Sequence, residues 1–285
     1  MPATHSNRPT YVGIGAQKCA STWLHRILAE HPQVGVPEVK EVDFFSYHYD
    51  HGHQWYERCF QKVGAAQARG EISPSYFAEP TVPERVARYL PEAKILLSLR
   101  DPVERALSNH RHEVRVGHLN GPDYSFETGL ANNPMYIEQG LYATHLKRWL
   151  QYFTPASILV VLMDDIEADP LAVAKKVYQF LGVDEHYVPG GLTNRYNPSF
   201  ATRWSPLGGM KDAVYSVTRL PGLRWLWDGA ARIGLRSLYR GINTVPSSSV
   251  IPQPNPQTLV QLRQRFAPEV QELEPMIGRS LTSWL

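Results

Sequence analysis

Residues 11–28, Tyr-Val-Gly-Ile-Gly-Ala-Gln-Lys-Cys-Ala-Ser-Thr-Trp-Leu-His-Arg-Ile-Leu, constrain this chain more than any other stretch. An apolar run, a loop and an amphipathic segment follow without a gap, which predicts a buried strand, a tight turn and a helix. Gly13 and Gly15 permit the sharp turn. Ser21 or Thr22 is the expected helix cap, and Trp23, Leu24, Ile27 and Leu28 are the expected buried face. A helix start presents backbone N–H groups and about half a positive charge, and Lys18 adds a full one, so the stretch reads as an anion cradle. A nucleoside-triphosphate loop has its lysine between a second glycine and a Ser/Thr. Here no second glycine precedes Lys18, which lies three residues before Ser21, and Ala20 occupies the turn. By itself the loop is as compatible with another kind of phosphate cradle as with a plain strand-to-helix turn.

At 285 residues the chain can bury a sizeable core, and the length suits one large α/β domain with or without a modest appendage. Its 43% hydrophobic and 11% aromatic content is that of a globular protein. Met1 to Thr10 is short, polar and contains proline, unlike a secretory leader, and there is no run of about 18 apolar residues. The expectation is a cytoplasmic protein with a flexible stretch over 1–9 and a single domain over 10–285. Cys19 and Cys59 are too few for a disulfide framework or a zinc cage and read as reduced thiols. Nothing in the sequence requires Cys19 to act as a nucleophile. A net charge of +2 gives no ground for nucleic-acid binding. Arginine outnumbers lysine, a weak sign of a GC-rich bacterial genome.

Farther along, strand and helix patterns alternate, which points to a three-layer, doubly wound parallel sheet. His31-Pro32 ends the first helix. Gln33 to Val36 reads as a short strand, Gly70 to Ile72 as one that Pro74 terminates, and Lys94 to Leu99 as a central one. Asp101 as cap, Pro102 at the first helical position and Glu104 at the third make a strong helix start. Arg100 is therefore expected in the crevice where open α/β sheets bind ligands, with Ser108 two turns into the helix. An arginine fork beside a hydroxyl suits a phosphate dianion; the alternative for Arg100 is an ion pair with Asp101 or Glu104. Residues 110–135 read as a polar surface excursion, Ile137 to Phe153 as helical, and Ser157 to Met163 as a buried strand. Asp169-Pro170 opens a helix that Gly182 stops.

Three stretches are less determined. In Lys40-Glu41-Val-Asp43-Phe44-Phe45, acids and a lysine adjoin a Phe pair. This is either a loop anchored by aromatics with solvated charges, or a cleft wall where Glu41 is partly desolvated, raised in pKa and able to act as a general base. His48, His51 and His53 alternate with aromatics without helical ligand spacing, so no metal site is expected. An aromatic rim for a polar acceptor and a plain surface loop are both open there. Residues 205–256 read as a basic amphipathic helical insertion and linker that packs on its own domain, ahead of contact with a membrane or lipid-linked acceptor through 205–245.

Taken in order, these motifs resemble those of sulfotransferases that use 3′-phosphoadenylyl sulfate (PAPS), of the carbohydrate or heparan sulfate type, in a bacterial member. Lys18, two residues, then Ser21-Thr22-Trp23-Leu24 is similar to their 5′-phosphosulfate loop. Lys40-Glu41-Val-Asp-Phe-Phe resembles the segment whose glutamate is the base, and Glu71-Ile72-Ser73-Pro74-Ser75-Tyr76 their Glu-Lys-Ser/Thr-Pro-x-Tyr element. Arg100 with Ser108 resembles the 3′-phosphate site, and Gly278-x-x-Leu281-x-x-Trp284 the closing pattern. The resemblance covers about 10–200 and 257–285. It implies a P-loop-like phosphosulfate-binding loop, and sulfuryl transfer from PAPS to an acceptor hydroxyl of a carbohydrate or small-molecule natural product. In-line displacement would release 3′,5′-bisphosphoadenosine (PAP) without a metal. Donor binding would fall to Lys18, Cys19, Ala20, Ser21, Thr22, Trp23, Arg100 and Ser108, and catalysis to Glu41 and Lys18. Arg203 would replace a Lys-Gly pair that is missing here. Ile72 stands where relatives have a lysine, and Asp43 and Ser46 replace the usual His and Asp beside the base, which makes His48 or His110 the fallback base. A P-loop-type kinase and a non-catalytic phosphonucleotide-binding protein are the alternatives.

Overall fold

The computed structural model describes residues 8–64, 66–116, 118–119, 124–192, 200–202, 244–246 and 251–285. Strand β1, Tyr11–Gly15, consists of five buried residues, as suits the interior of a sheet. Strands β2 (Val34–Gly35), β3 (Ala68–Ile72), β4 (Lys94–Leu99) and β5 (Ile158–Leu162) complete a five-stranded sheet in the order β2-β3-β1-β4-β5. Every pairing is parallel, with Tyr11 opposite Gly70 on one side and Lys94 on the other. The first register requires glycine: a Cβ at residue 70 would lie 2.2 Å from the Tyr11 carbonyl oxygen.

Parallel neighbours need long crossovers, which helices supply. From β1 the chain passes through α1 (Ser21–Glu30) to β2, and through α2 (His53–Arg58) to β3. Helix α3 (Val82–Tyr89) then carries it to β4, on the other side of β1. This reversal makes the gap between β1 and β4 the switch point, where such sheets open a crevice at their carboxyl ends. Next come α4 (Pro102–Val116), α5 (Phe126–Asn132), α6 (Met135–Glu138) and α7 (Tyr142–Leu150). Beyond β5 follow α8 (Met163–Ala168), α9 (Pro170–Leu181), a short antiparallel pair β6 (Phe200–Thr202) and β7 (Thr244–Pro246), and α10 (Pro256–Ile277).

Both faces of the sheet are covered, as the alternation predicts. Trp23, Leu24, Ile27 and Leu28 of α1 share one core with Val177 and Tyr178 of α9 and with Leu96 and Val161 of the strands. The alternate strand residues Val12, Ile14, Ile95, Leu97 and Leu99 are equally buried. At about 1.5–3 kcal/mol for each large apolar side chain, this burial is what holds the layers together.

Two readings of local structure change. Helix α1 is capped by Ala20, in a left-handed conformation (φ 66°, ψ 18°) and without a side-chain bond. Ser21 and Thr22 are already helical, and a hydroxyl caps only from the non-helical residue ahead of the first turn. The excursion expected over 110–135 is largely helical: α4 runs to Val116, and Ser125 Oγ accepts from Thr128 N–H to start α5. Apolar Val114 and Phe126 are buried there, which outweighs the polar composition. The chain forms two compact units, one of Met1–Ala106, Ile137–Tyr196 and Gln261–Leu285, the other of Leu107–Tyr136 and Asn197–Val260. Most of the insertion expected over 205–256 lies outside the described residues. Among the described residues no helix is long and apolar enough to cross a membrane.

Candidate active site

The carboxyl ends of β1, β3 and β4 are adjacent in the first unit, so the segments that follow them meet. Ala16 N–H donates to Ser98 O (2.7 Å) and Ser98 Oγ donates to Gly15 O (3.0 Å), which ties the loop after β1 to β4. Gly15 has φ 128°, and a Cβ there would meet Pro74 O at 2.9 Å, so the turn after β3 packs directly on the last residue of β1, where the loop begins. Lys18 and Ala20 both have φ 66°. Left-handed backbone costs a non-glycine residue about 1–2 kcal/mol, and such residues cluster where a ligand is held. Left-handed residues are also the backbone pattern of anion-binding nests. The first intrahelical bond of α1 is Leu24 N–H to Ala20 O at 3.0 Å, and N–H groups earlier in a helix have no intrahelical acceptor.

Two of the residues named from the sequence for donor binding, Cys19 and Trp23, have buried side chains. Cys19 is fully buried, with Sγ 3.6 Å from Tyr142 Oη, and burial pushes its thiol pKa up, which keeps it protonated and unsuited to nucleophilic attack. Trp23 is also buried and donates from Nε1 to Leu192 O at 3.0 Å. Tyr142 was missed by sequence reasoning. Its hydroxyl donates to Arg100 O (2.9 Å) while it touches Cys19, so one phenol links the loop to the end of β4. No local signal marks it, because its partners are 42 and 123 residues away.

Arg100 stands at the end of β4 as expected, its side chain 19% exposed and ion-paired with Glu104 at 3.0 Å. Asp101 Oδ1 accepts from Val103 and Glu104 N–H, which is the expected cap, and Oδ2 pairs with Arg263 of α10 at 3.2 Å. Burial pushes the Asp101 carboxyl up, opposed by those bonds and by Arg263. Ser108 lies on α4 in the second unit. Arg203 lies outside the described residues.

Of the two readings of residues 40–45, the structure shows the loop anchored by aromatics with solvated charges. Phe44 and Phe45 are fully buried, yet the Glu41 side chain is 44% exposed and pairs with the adjacent Lys40. The physical reason is the backbone: Glu41 (φ 62°) and Asp43 (φ 52°) are left-handed, Val42 between them turns inward, and Glu41 is left outside. Lys40 and Glu41 lie near enough to α1 for their charges to act on His25, whose pKa is lowered first by burial. The buried carboxylate here is Glu71, pushed up to about 7 by burial and held by the Ser73 and Tyr76 hydroxyls. In the sequence Glu71 opens the Glu-Ile-Ser-Pro-Ser-Tyr element, whose Ser73 and Tyr76 are the hydroxyls that hold it.

The fallback bases separate. Both ring nitrogens of His110 are engaged, Nδ1 with Tyr136 Oη (2.9 Å) and Nε2 with Tyr124 O (3.0 Å), and the ring is buried, so it has no nitrogen left for a substrate. His48 is exposed and stacks on His51, ring centres 5.3 Å apart. Among the described residues no group of His, Cys, Asp and Glu is arranged to hold a metal ion.

The mouse bifunctional heparan sulfate N-deacetylase/N-sulfotransferase 4 is 31% identical over 208 residues, 65% of this chain and 23% of that protein. The mouse heparan sulfate glucosamine 3-O-sulfotransferase 3B1 is 30% identical over 194 residues, 63% and 48% of the two chains. The chain thus spans from under a quarter to about half the length of these curated relatives. The crystal structure of a sulfotransferase from Alicyclobacillus acidocaldarius superposes with a TM-score of 0.69 at 27% identity, covering 97% of this chain and 98% of that one. The model of the family described as "Sulfotransferase domain" matches residues 10–191, more than half of the chain and all of the cradle, so the chain belongs to the sulfotransferase family of transferase enzymes.

Proposed function

We propose that the chain moves the sulfuryl group of PAPS to an acceptor hydroxyl on a carbohydrate or small-molecule natural product by in-line displacement. The observation that carries this reading is the loop between β1 and α1: two left-handed residues, Lys18 and Ala20, at the switch point, tied through Tyr142 to Arg100 just beyond the end of β4. These residues fit the donor at both ends. The loop and helix start suit a 5′-phosphosulfate. Arg100 suits a 3′-phosphate, because its partner Glu104 is 46% exposed and can be exchanged for a dianion. When bound, PAPS supplies a sulfuryl group already activated by its phosphate leaving group.

The chain's own residues do the rest. Lys18 and the first N–H groups of α1 offset charge gathering on the phosphate side. Glu41 takes the acceptor's hydroxyl proton, an effect worth about 10² to 10⁴ in rate. Its exposure leaves it open to an incoming acceptor, and its ion pair with Lys40 orients it. The heparan sulfate relatives support a carbohydrate as acceptor.

Titration calorimetry of PAPS against adenosine 5′-phosphosulfate, which lacks the 3′-phosphate, tests the donor site. Wild type should prefer PAPS by about 10- to 100-fold, the size of a charge-assisted contact, and Arg100→Ala should erase that preference. Equal binding of both donors by wild type would sink the reading, and turnover of ATP in place of PAPS would make the chain a kinase.

A further inference from the structure

We propose that Glu71 is a positioning residue: through the Ser73 and Tyr76 hydroxyls its buried carboxylate holds the backbone amides of Asp43 and Phe45, and with them the turn that presents Glu41. The role of Glu41 rests on the sulfuryl-transfer reading, whereas the hold rests on geometry alone.

Glu71 is 1% exposed and lies one residue from the end of β3. Ser73 Oγ donates to its Oε2 at 2.6 Å and Tyr76 Oη to its Oε1 at 2.7 Å, with Tyr56 Oη more distant at 3.4 Å. A hydroxyl has one proton and two lone pairs. Once those protons point to an acceptor-only carboxylate, both oxygens present lone pairs outward. They accept from Asp43 N–H (2.8 Å) and Phe45 N–H (3.3 Å). The carboxylate thereby sets the polarity of two bridges to one short segment. That segment begins with left-handed Glu41 and Asp43, a conformation non-glycine residues keep only when their surroundings impose it. The ion pair of Glu41 with adjacent Lys40 cannot supply the constraint, since it does not reach β3. Ser75 Oγ adds a third tie, donating to Asp43 Oδ1 at 2.5 Å.

The titratable groups facing Glu71 are Tyr11 of β1, Tyr56 of α2, Cys59 just after it, Tyr76 and Asp43. Burial raises the three phenols, the thiol and Asp43 alike, and for Asp43 the Ser75 hydroxyl opposes the rise. A proton on Glu71, whose pKa is about 7, adds a donor that competes for the hydroxyl lone pairs. The hold should loosen as pH falls through that value.

Hydrogen exchange read by mass spectrometry on the full chain tests the proposal, with Glu71→Gln, Ser73→Ala and Tyr76→Phe. In Glu71→Gln, amides in 42–46 should exchange about tenfold faster, the worth of one lost bond, while those of α1 keep their protection. In PAPS-dependent turnover kcat should fall about tenfold with KM for PAPS nearly unchanged, and an acid limb near pH 7 in the wild-type kcat profile should vanish in Glu71→Gln. Unchanged exchange over 42–46 in the variants, or acceleration spread evenly along the chain, would overturn it. If Glu71→Gln does not fold, Ser73→Ala and Tyr76→Phe each remove one bridge and decide the matter. A wild type that transfers no sulfuryl group would remove the reading of Glu41, and exchange would still decide whether Glu71 holds the turn.

Discussion

Glu41 and Glu71 show how much a carboxylate owes to its surroundings, since one is exposed beside a lysine and the other is buried among hydroxyls. Burial raises the Glu71 carboxyl from 4.5 to about 7, so between those values the folded chain binds a proton that the unfolded chain has released. Stability should therefore fall as pH rises through that window and level off above it. At about 1.36 kcal/mol per unit, the gap between wild type and Glu71→Gln should change by up to roughly 3 kcal/mol, read from urea denaturation at pH 5 and pH 8. A gap that does not move with pH would show that Glu71 is ionised throughout. For Glu41 the expected change is kinetic. Glu41→Gln should lose about 10² to 10⁴ in kcat with PAP affinity intact, measured by single turnover and calorimetry. Full activity in that variant would assign the proton to another group, of which exposed His48 is the first to test.

Helices around the site start where short-range chemistry tells them to, apart from the one at the cradle. Asp101 caps α4, Asp169 Oδ1 accepts from Ala172 N–H to cap α9, and Gly182 ends α9 at φ 78°. Asp169→Ala should cost about 1 kcal/mol, seen as a lower urea midpoint with unchanged slope, and PAP binding should stay as it was. Helix α1 differs: no side chain bonds at its cap, and in the proposed donor site its first N–H groups would face the phosphosulfate. Left-handed Ala20 stands at the cap position, directly ahead of the helical Ser21 and Thr22.

Across the whole molecule, the C-terminal segment returns to the sheet's unit and braces it. Arg263 pairs with Asp101, Glu269 accepts from Thr144, Arg279 forms a fork with Asp165, and Trp284 donates from Nε1 to Asp164. Trp284 is 2% exposed, and Trp284→Ala should cost about 3–5 kcal/mol, enough to lower the melting temperature by several degrees in a scanning calorimeter. A smaller loss would mean that the cavity collapses. The division between what was legible and what was not follows the range of the forces involved. Strand, loop and helix over 11–28, the caps at Asp101 and Asp169, the stop at Gly182 and the parallel sheet are written within a few residues, because periodicity and capping act over one or two turns. The exposure of Glu41, the burial of Glu71, the engagement of both His110 nitrogens and the link from Cys19 through Tyr142 to Arg100 depend on partners up to 123 residues away. Only packing decides which of two glutamates loses its water, because desolvation and hydrogen bonding are set by neighbours in space, and one sequence of residue types is compatible with many such neighbourhoods.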